Sequence, residues 1–511
     1  MHTTRPETDL VLLTGATGFV GHYVLAELLR AGQRCAVLLR GHKAHSMARI
    51  RRLLADLQVD ANGAAGEGRL FVLEGDLPDR LPVSVAARLG KVAAVVHVAA
   101  SIRFDADTTT GEPDRTNVEG TRRLLAWATQ LGVREFHLVS TAYVCGIAGQ
   151  PVAEAFSPRQ PAFHNDYERS KWQAERLCMD WAGATGGVVT IHRPSIVVGE
   201  HGSGRATKFD GLYLSARGAE ALGRLYRADD PRRHTLPLRL RGRATDRQNI
   251  VPVDYVGAMI AAAVRRPAAH GRVYHLVNPE APTNQLITDA INSFFDIRGG
   301  HWVEPKLFDN QPLSTQERLF LRISEPIRHY FSDAPTFLRH QAADLERAAG
   351  WSVPRFDIPA LHRLLAYGKA AKWAREETRS MVVRRGDSCA DFFEGFLPRS
   401  VPGSQIARMA ALSTIMRFII EDEPNGQWVC RFDRGSLAEV SRGPNSLHED
   451  FGYRLTRDVF FRAVAGDVHP QHAFLSGEIG VFGDVERALK MAMILHAFSQ
   501  ECPYRLAGVQ S

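Results

Sequence analysis

The sequence lacks the long apolar runs that a membrane-spanning helix requires. Its apolar stretch at 92–100 is about half as long as the ~20 residues that such a helix needs. The first eight residues also lack the apolar segment of a signal peptide. We therefore expect no transmembrane segment and a cytoplasmic location.

Cysteine is scarce, and no two cysteines are spaced for a metal site or a disulfide framework. The six cysteines of the 511-residue chain form no Cys-x-x-Cys motif, which excludes a zinc finger and fits a reducing compartment. The 20 histidines form no His-Glu-x-x-His motif, and no Gly-x-Ser-x-Gly elbow is present. The sequence therefore predicts neither a metal site nor a serine hydrolase.

Lysine is also rare, because only eight of the 63 basic residues are lysines and arginine carries most of the positive charge. The net charge of +7 includes no dense basic run with interleaved aromatic residues, so nucleic-acid binding is not predicted. Arginine binds phosphates and carboxylates through two parallel hydrogen bonds, which favours a phosphorylated ligand or an acidic partner. Arginine usage that merely reflects genome composition is the alternative.

The first part of the chain, residues 1–285, alternates short apolar runs with amphipathic helical segments. Strand-like runs lie at 10–13, 34–39, 69–73, 93–98, 135–140 and 188–192. This alternation predicts a doubly wound parallel sheet with helices on both faces and with ligands at the carboxyl ends of the strands. Residues 199–248 are expected to border a substrate cleft, and 286–375 to form a mainly helical covering region.

The pattern changes after residue 375. Residues 376–405 are charged and contain prolines and glycines, which predicts a linker. Residues 406–511 combine strand-like segments with two helical stretches, which predicts a small α+β domain. The expected fold class is therefore α/β followed by α+β.

A glycine-rich turn between the first strand and the first helix is the strongest motif. Gly15, Gly18 and Gly21 are separated by two residues each. Glycine permits the tight turn and the close approach of a pyrophosphate, which then faces the amino terminus of the following helix. The motif predicts a dinucleotide site.

The residues that follow the next strands predict which dinucleotide binds. Arg40 stands where an acidic residue would hold the ribose of NAD, and Lys43 is close behind. A guanidinium at this point can clamp a 2′-phosphate, so the expected cofactor is NADPH. Asp76 is expected to reach the adenine. The nicotinamide side is expected to be lined by Ala99, Ala100 and Ser101.

Tyr167 and Lys171 open a helix one loop after a strand that ends at Thr141. Residues at i and i+4 share a helix face, so both side chains are predicted to enter one cleft. The ammonium would lower the pKa of the phenol, which can then pass a proton to a developing alkoxide, while Thr141 orients the substrate oxygen. Asn117 is expected to carry a proton-relay water.

These motifs resemble those of the extended short-chain dehydrogenase/reductases, and within them the thioester reductase and fatty acyl-CoA reductase branch. The matching segments are 11–21, 97–105, 117–121, 139–144, 167–175, 193–197 and 249–254. The resemblance implies a Rossmann domain and further cofactor contacts at Thr14, Thr17, Phe19, Val20, Leu77, Arg193, Pro194 and Ser195. The sequence departs from the fatty acyl reductases at 199–204, where their Glu-Pro-x-Pro-Gly-Trp run is missing.

Residues 406–511 resemble the sterol-carrier-protein fold in the segments 425–428, 474–480 and 483–490. The resemblance implies an apolar tunnel for a fatty acyl chain or a sterol. A packed core without a tunnel is the alternative.

Together these features predict an NADPH-dependent reductase of a lipid-like acyl thioester, carried by coenzyme A or an acyl carrier protein. The expected product is an aldehyde or, after a second hydride, an alcohol, and the carboxy-terminal domain would hold the acyl chain. The arginines between 217 and 247, including Arg232 and Arg233, are expected to meet phosphates or an acidic carrier, with a solvated surface as the alternative.

Two other interpretations stay open. In the first, the protein is a dehydrogenase or ketoreductase of a sterol, a polyketide or another hydrophobic alcohol or ketone. In the second, it is a non-catalytic lipid carrier whose dinucleotide domain senses redox state.

Overall fold

The computed structural model divides the chain into two compact units, each assembled from separated stretches of sequence. The first comprises Met1–Leu212, Arg241–Ala290 and Pro326–Ala374, and the second comprises Tyr213–Leu240, Ile291–Glu325 and Arg375–Ser511. The structure describes residues 4–40, 43–79, 90–148, 151–229, 234–324, 329–330, 335–374, 388–443, 448–468, 473–474 and 477–504. The predicted domains are contiguous segments, whereas these units alternate along the chain.

The described strands fall into four sheets. In chain order they are β1 (Leu10–Thr14), β2 (Arg34–Leu39), β3 (Leu70–Glu74), β4 (Val92–His97), β5 (Glu135–Val139), β6 (Val188–Pro194), β7 (Ile196–Val198), β8 (Thr235–Arg241), β9 (Ile250–Pro252), β10 (Val273–Leu276), β11 (Arg298–Val303), β12 (Thr414–Ile420), β13 (Gln427–Asp433), β14 (Ser436–Arg442), β15 (Phe451–Leu455) and β16 (Ile479–Gly483).

The described α-helices are α1 (Phe19–Arg30), α2 (Lys43–Asp56), α3 (Ala61–Gly66), α4 (Gly120–Gln130), α5 (Asp166–Thr185), α6 (Leu212–Asp229), α7 (Val253–Arg265), α8 (Asn284–Phe295), α9 (Pro305–Asp309), α10 (Thr315–Ser324), α11 (His340–Ala349), α12 (Ile358–Ala370), α13 (Leu397–Ser400), α14 (Gln405–Ala410), α15 (Arg457–Val464) and α16 (Val485–Glu501). Shorter helical turns lie at Arg115–Glu119, Ala142–Cys145, Pro267–Ala269, Lys372–Ala374, Asp391–Phe396 and Val401–Gly403.

The first unit contains a parallel sheet of seven strands in the order β3-β2-β1-β4-β5-β6-β10. This confirms the doubly wound α/β fold and the six predicted strands. Strand β1 is buried along its whole length, as expected for a parallel strand that is covered on both faces. The strand order reverses between β1 and β4, and ligands bind at such a switch point, outside the carboxyl ends of the strands.

The second unit contains a mixed sheet of five strands in the order β14-β13-β12-β15-β16, with helices α15 and α16 after β15 and β16. This confirms the predicted α+β class. Sequence reasoning missed the central strand β12. Its residues alternate between buried and half-buried, which is the period of two that is typical of a strand.

The structure corrects the predicted linker at 376–405. Residues 376–387 lie outside the described part of the chain, and 388–405 are largely helical. This segment is ordered by aromatic packing. Phe393 is fully buried and stacks on Trp428 and Phe460 at ring-centroid distances of 4.8 and 5.2 Å. Prolines and charges in the sequence concealed this aromatic segment, which belongs to the core of the five-stranded sheet.

The segments 199–248 and 286–375, predicted to form a substrate cleft and its cover, are divided between the units, and their parts 213–240 and 291–325 belong to the second unit. Strands β8 and β11 pair, and Leu222, Leu236, Leu238 and Phe320 form a small apolar cluster beside them. Arg239, one of the arginines predicted to meet a ligand, donates to both oxygens of the Glu317 carboxylate at 2.6 and 2.8 Å. Arg232 and Arg233 lie outside the described residues.

Within the described ranges, the structure contains no helix that is both long and apolar enough to cross a membrane.

Candidate active site

The glycine-rich turn joins β1 to α1 at the switch point of the parallel sheet. Gly15 has a φ of +74°, and a Cβ there would lie 2.5 Å from the backbone nitrogen of Ala99. A Cβ on Gly21 would lie 2.0 Å from the carbonyl oxygen of Gly15. The Gly18 amide closes the turn by donating to that same oxygen at 2.8 Å. These approaches leave no room for side chains, so the turn needs glycine and brings the start of α1 close to the strand ends.

A buried histidine connects the turn to the neighbouring elements. Thr14 and Thr121 hydroxyls lie 2.7 and 3.1 Å from the two ring nitrogens of His97, which ends β4. The Ala99 amide donates to the Thr14 hydroxyl at 3.3 Å. Burial and the nearby Lys171 charge lower the pKa of His97 to about 3, so the ring is neutral at physiological pH. Thr14 and Ala99 therefore act within the scaffold, and His97 is a core histidine, as the strand pattern favours.

Arg40 and Asp76 meet at the carboxyl ends of β2 and β3. The Nε atom of Arg40 lies 2.8 Å from Oδ1 of Asp76, and the Arg40 side chain is exposed. Arg49 of α2, which sequence reasoning missed, donates to the carbonyl oxygen of Thr17 in the glycine turn at 3.3 Å. Lys43 begins α2, and its side chain lies outside what the structure describes. Two arginines of the described part thus border this end of the site.

Three predicted cofactor contacts belong wholly or partly to the apolar core. Leu77 is buried against the core on one face of the sheet, and Phe19 and Val20 pack against the core on the other. Ala100 and Ser101 are half-buried in the loop after β4, where a ligand at the switch point would pass.

Asn117 connects that loop to helix α5. Its Oδ1 accepts from the Ser101 amide at 2.8 Å, and its Nδ2 donates to the Ser101 carbonyl at 2.9 Å and to the Ser170 hydroxyl at 2.8 Å. The Ser170 hydroxyl donates in turn to the carbonyl of Tyr167. The side chain of Asn117, expected to carry a relay water, is thus already committed to protein groups.

Thr141 and Tyr167 lie next to each other, and their hydroxyls form a hydrogen bond. Thr141 follows β5, and Tyr167 lies in the first turn of α5, which Asn165 caps by accepting from the Glu168 amide at 2.9 Å. Burial raises the pKa of Tyr167 to about 12, although the hydrogen bond from Thr141 opposes this. The sequence predicts a lowered phenol pKa, and burial reverses that prediction. At neutral pH the phenol is a proton donor.

Lys171 and Glu175 continue the same helix face, each four residues beyond the last. Both are buried, with Lys171 2% exposed and Glu175 fully enclosed. Burial lowers the pKa of Lys171 to about 8, while the nearby Cys178 and Glu175 act in the opposite direction. Sequence reasoning missed Glu175, although its i+4 spacing from Lys171 was a readable signal.

Arg193, which the resemblance implies as a cofactor contact, is bonded to protein groups through its side chain. Arg193 is the second-last residue of β6, is 3% exposed, and donates to both Glu175 oxygens at 2.9 and 2.6 Å. Its remaining contacts are the Ala155 carbonyl at 3.1 Å and His275 Nε2 at 3.3 Å. The guanidinium therefore holds Glu175 close to Lys171. The resemblance alone could not reveal this partner.

The two residues after Arg193 differ in role. Pro194 lies within the sheet, opposite Leu276 of β10. The Ser195 hydroxyl is buried and has no hydrogen-bond partner among the described residues. Buried hydroxyls are normally paired, so Ser195 fits a contact to a bound ligand at this strand end.

Aromatic side chains beside Tyr167 were missed by sequence reasoning. The Phe104 ring meets Tyr167 edge-on at 6.1 Å, and Tyr143 lies 4.5 Å from Tyr330. The Tyr330 hydroxyl donates to the fully buried Glu168 carboxylate at 2.7 Å. Tyr330 lies 163 residues along the chain from Tyr167, so no local sequence signal could pair them.

Two regions of the chain match models of known protein families. Residues 13–260 match the family model described as "Male sterility protein", a model of an NAD-binding domain, and residues 393–496 match the SCP-2 sterol transfer family. The first region belongs to the extended short-chain dehydrogenase/reductases. We refer to it below as the reductase domain and to the second as the SCP-2 domain.

The chain matches parts of larger proteins. The chain is 35% identical over 224 residues to an isonitrile lipopeptide synthase of Streptomyces coeruleorubidus, covering 42% of this chain and 15% of that protein. It is 24% identical over 391 residues to the aldehyde reductase lnbA of Aspergillus flavus, covering 71% and 35%. The chain thus spans about a third or less of the length of these relatives.

Solved structures share the fold. The terminal R domain of the myxalamid PKS-NRPS biosynthetic pathway has a TM-score of 0.57 at 24% identity, covering 73% of this chain and 93% of that one. A thiolation-reductase di-domain from an archaeal non-ribosomal peptide synthetase has a TM-score of 0.54 at 21% identity, covering 73% and 78%.

A cluster at the start of β5 in the reductase domain holds an ion-pair network. Glu135, His137 and His270 are close enough to share a metal ion. However, the Arg5 guanidinium donates to Glu135, and His137 Nε2 lies 2.7 Å from the same oxygen. A cation already neutralises the carboxylate, which favours a network that stabilises the fold over a metal centre.

We expect Glu175→Gln to destabilise the reductase domain, because it removes the carboxylate that neutralises the buried Arg193 guanidinium. Breaking a buried ion pair costs about 3–5 kcal/mol. Urea denaturation without added ligand measures this loss. Glu119→Gln is the matched control, since the ion pairs of Glu119 with Arg122 and Arg123 are exposed and should be worth less than about 1 kcal/mol. Equal losses in the two variants would contradict the role assigned to the buried pair.

Proposed function

We propose that the protein is an NADPH-dependent reductase of an acyl thioester. The observation that carries the proposal is the hydrogen-bonded Thr141–Tyr167 pair beside the buried Lys171, next to the glycine turn at the switch point of the sheet. A proton donor, a hydroxyl that orients an oxygen and a dinucleotide cradle are the parts that carbonyl reduction requires.

The residues present fit a nicotinamide dinucleotide. Gly15, Gly18 and Gly21 carry no side chains at three positions of the turn at the start of α1, where the helix amides can face a pyrophosphate. The unpaired Ser195 hydroxyl and the half-buried loop after β4 lie at the strand ends where the nicotinamide would bind. When bound, NADPH supplies the hydride that reduces the carbonyl carbon.

The side chains of the protein handle the oxygen and the proton. The Thr141 and Tyr167 hydroxyls hold the thioester carbonyl oxygen, and Tyr167 donates its proton as negative charge develops there. Lys171 holds the cofactor ribose and supports the phenolate that remains after proton transfer. Collapse of the resulting hemithioacetal breaks the carbon–sulfur bond, so that the thiol leaves and an aldehyde remains.

Arg40 supports NADPH over NADH. The guanidinium stands at the carboxyl end of β2, where it can bind a 2′-phosphate, and Asp76 holds it in place at 2.8 Å. An acidic residue in the position of Arg40 would instead favour the ribose hydroxyls of NAD.

The relatives support a thioester substrate on a carrier. The structural neighbours include R domains of synthetases, one of them joined to a thiolation domain, and a relative is an aldehyde reductase. We propose that the acyl group arrives on an acyl carrier protein or coenzyme A and that the SCP-2 domain holds its apolar chain. A ketoreductase would use the same hydroxyls but would release no thiol.

Tyr167→Phe tests the assignment of the proton donor. We expect a loss of at least about a hundredfold in kcat, in keeping with the contribution of a general acid, and a dissociation constant for NADPH within about twofold of wild type. NADPH oxidation and free thiol should be measured together on an acyl carrier thioester. Oxidation of NADPH on a ketone without thiol release would favour the ketoreductase instead, and retained turnover in the variant would refute the role of Tyr167.

Arg40→Ser tests the choice of cofactor. Removing a charge-assisted phosphate contact should lower kcat/KM for NADPH roughly ten- to a hundredfold while leaving kcat/KM for NADH nearly unchanged. Arg30→Ser, which removes an arginine paired with Glu27 at the far end of α1, should change neither value. If the ratio of kcat/KM for NADPH to kcat/KM for NADH is the same in the wild type and in both variants, Arg40 does not select NADPH.

The pH profile tests the charge on Lys171. Its pKa is lowered to about 8, so the free enzyme loses this positive charge as pH rises through that value. We expect kcat/KM for NADPH, which reports groups of the free enzyme, to fall about tenfold per pH unit above pH ~8. Lys171→Arg keeps the charge and should move this fall to higher pH. A profile that is flat from pH 7 to 10 would show that binding does not require the charge.

A further inference from the structure

The phenol of Tyr143 is a buried donor that the proposed mechanism does not use. Tyr143 is 6% exposed, and its hydroxyl has no hydrogen-bond partner among the described residues. Buried hydroxyls in folded proteins are almost always paired, and a Tyr hydroxyl that is enclosed usually finds a partner. An unpaired phenol beside the candidate active site therefore needs an explanation.

The backbone of Tyr143 is fixed to the catalytic hydroxyl pair. Tyr143 lies two residues after Thr141, in the helical turn Ala142–Cys145, and its amide donates to the Thr141 hydroxyl at 3.3 Å. That hydroxyl is the one bonded to Tyr167. The orphan phenol therefore belongs to the same short segment that presents the oxygen-binding hydroxyl.

Aromatic rings enclose the side chain of Tyr143. Tyr330 packs against its ring at 4.5 Å, and Phe337 meets it edge-on at 6.1 Å. Tyr330 also lies 6.5 Å from Phe104, which meets the Tyr167 ring at 6.1 Å. Phe104, Tyr143, Tyr330 and Phe337 thus form an aromatic wall that begins at the proton donor.

The other polar group of this wall is already occupied. The Tyr330 hydroxyl donates to Glu168 at 2.7 Å and accepts from the Asn165 Nδ2 at 3.2 Å. Glu168 also accepts from the His164 amide at 3.0 Å. Tyr330 is thereby held in place and leaves Tyr143 as the unpaired phenol of the wall.

From these observations we infer that Tyr143 is a specificity-determining residue whose hydroxyl binds a hydrogen-bonding group on the acyl chain, close to the thioester carbonyl. The inference rests on the proposed function and refines it. The preferred substrate is an acyl thioester that bears a polar substituent near the carbonyl, such as a β-hydroxyl, rather than a plain saturated chain. An apolar chain would leave the phenol buried without a partner, and sites built to bond a substrate hydroxyl discriminate against analogues that lack it.

The test compares β-hydroxyoctanoyl and octanoyl thioesters of pantetheine in the full-length protein. We expect the wild type to favour the hydroxyacyl substrate in kcat/KM by about tenfold or more, the effect of one well-placed hydrogen bond in a dry site. Tyr143→Phe removes only the hydroxyl and should bring the ratio close to one, with kcat/KM for the octanoyl substrate within about twofold of wild type. Tyr274→Phe is the control, because the Tyr274 phenol is buried but bonded to the Ala269 carbonyl at 2.7 Å.

Binding of non-reducible thioether analogues provides a second readout that needs no turnover. The hydroxylated analogue should bind the NADP⁺-loaded wild type more tightly than the plain one, and Tyr143→Phe should abolish the difference. A wild-type ratio near one, or a ratio that Tyr143→Phe leaves unchanged, would overturn the inference. An equal loss for both substrates in Tyr143→Phe would also overturn it, since the phenol would then serve the shared thioester carbonyl. If neither thioester releases thiol in the wild type, the proposed function itself fails.

Discussion

The geometry of the candidate site depends on one buried interaction, the fork between Arg193 and Glu175. It joins the carboxyl end of β6 to the third turn of α5, and so fixes how far α5 is rotated against the sheet. Tyr167 and Lys171 lie on the helix face that ends in Glu175, so their direction follows from that rotation. A buried fork is costly to form and more costly to break, which gives the helix a single favoured position.

Other contacts of Arg193 extend this constraint beyond the helix. The guanidinium also reaches the Ala155 carbonyl and His275 of β10, so one side chain connects the loop before α5 with the last strand of the sheet. At the other end of the helix, the Asp166 amide donates to the Phe104 carbonyl at 2.8 Å. The helix is thus held at its start and at its middle, and the Thr141–Tyr167 contact lies between these supports.

Features that depend on short-range periodicity could be predicted from the sequence. The parallel strands are apolar along their length, the glycine turn follows a strand directly, and Tyr167 and Lys171 are one helical turn apart. Each of these three features could therefore be predicted from the sequence. The ion pair of Arg193 could not be predicted, because its carboxylate partner lies on another element. Tyr143 and Tyr330 escaped notice because their contact links distant parts of the chain, and the pKa of Tyr167 was wrong in direction because burial cannot be read from spacing. The segment after residue 388 was mistaken for a linker because its charges and prolines hid the aromatic residues that pack into a core.

The interleaving of the two units has a consequence for how such a protein is made and recombined. The chain passes between the units five times before it finishes the second one. A ribosome therefore releases the segments 213–240 and 291–325 long before most of their own unit exists, and Leu319 in the second of them packs against the aromatic core formed after residue 388. The apolar side chains of these early segments can be buried only after the later part of the unit has been synthesised. A single crossover in the gene near residue 375 would separate these segments from the core against which they pack. We therefore expect the two units to be inherited together.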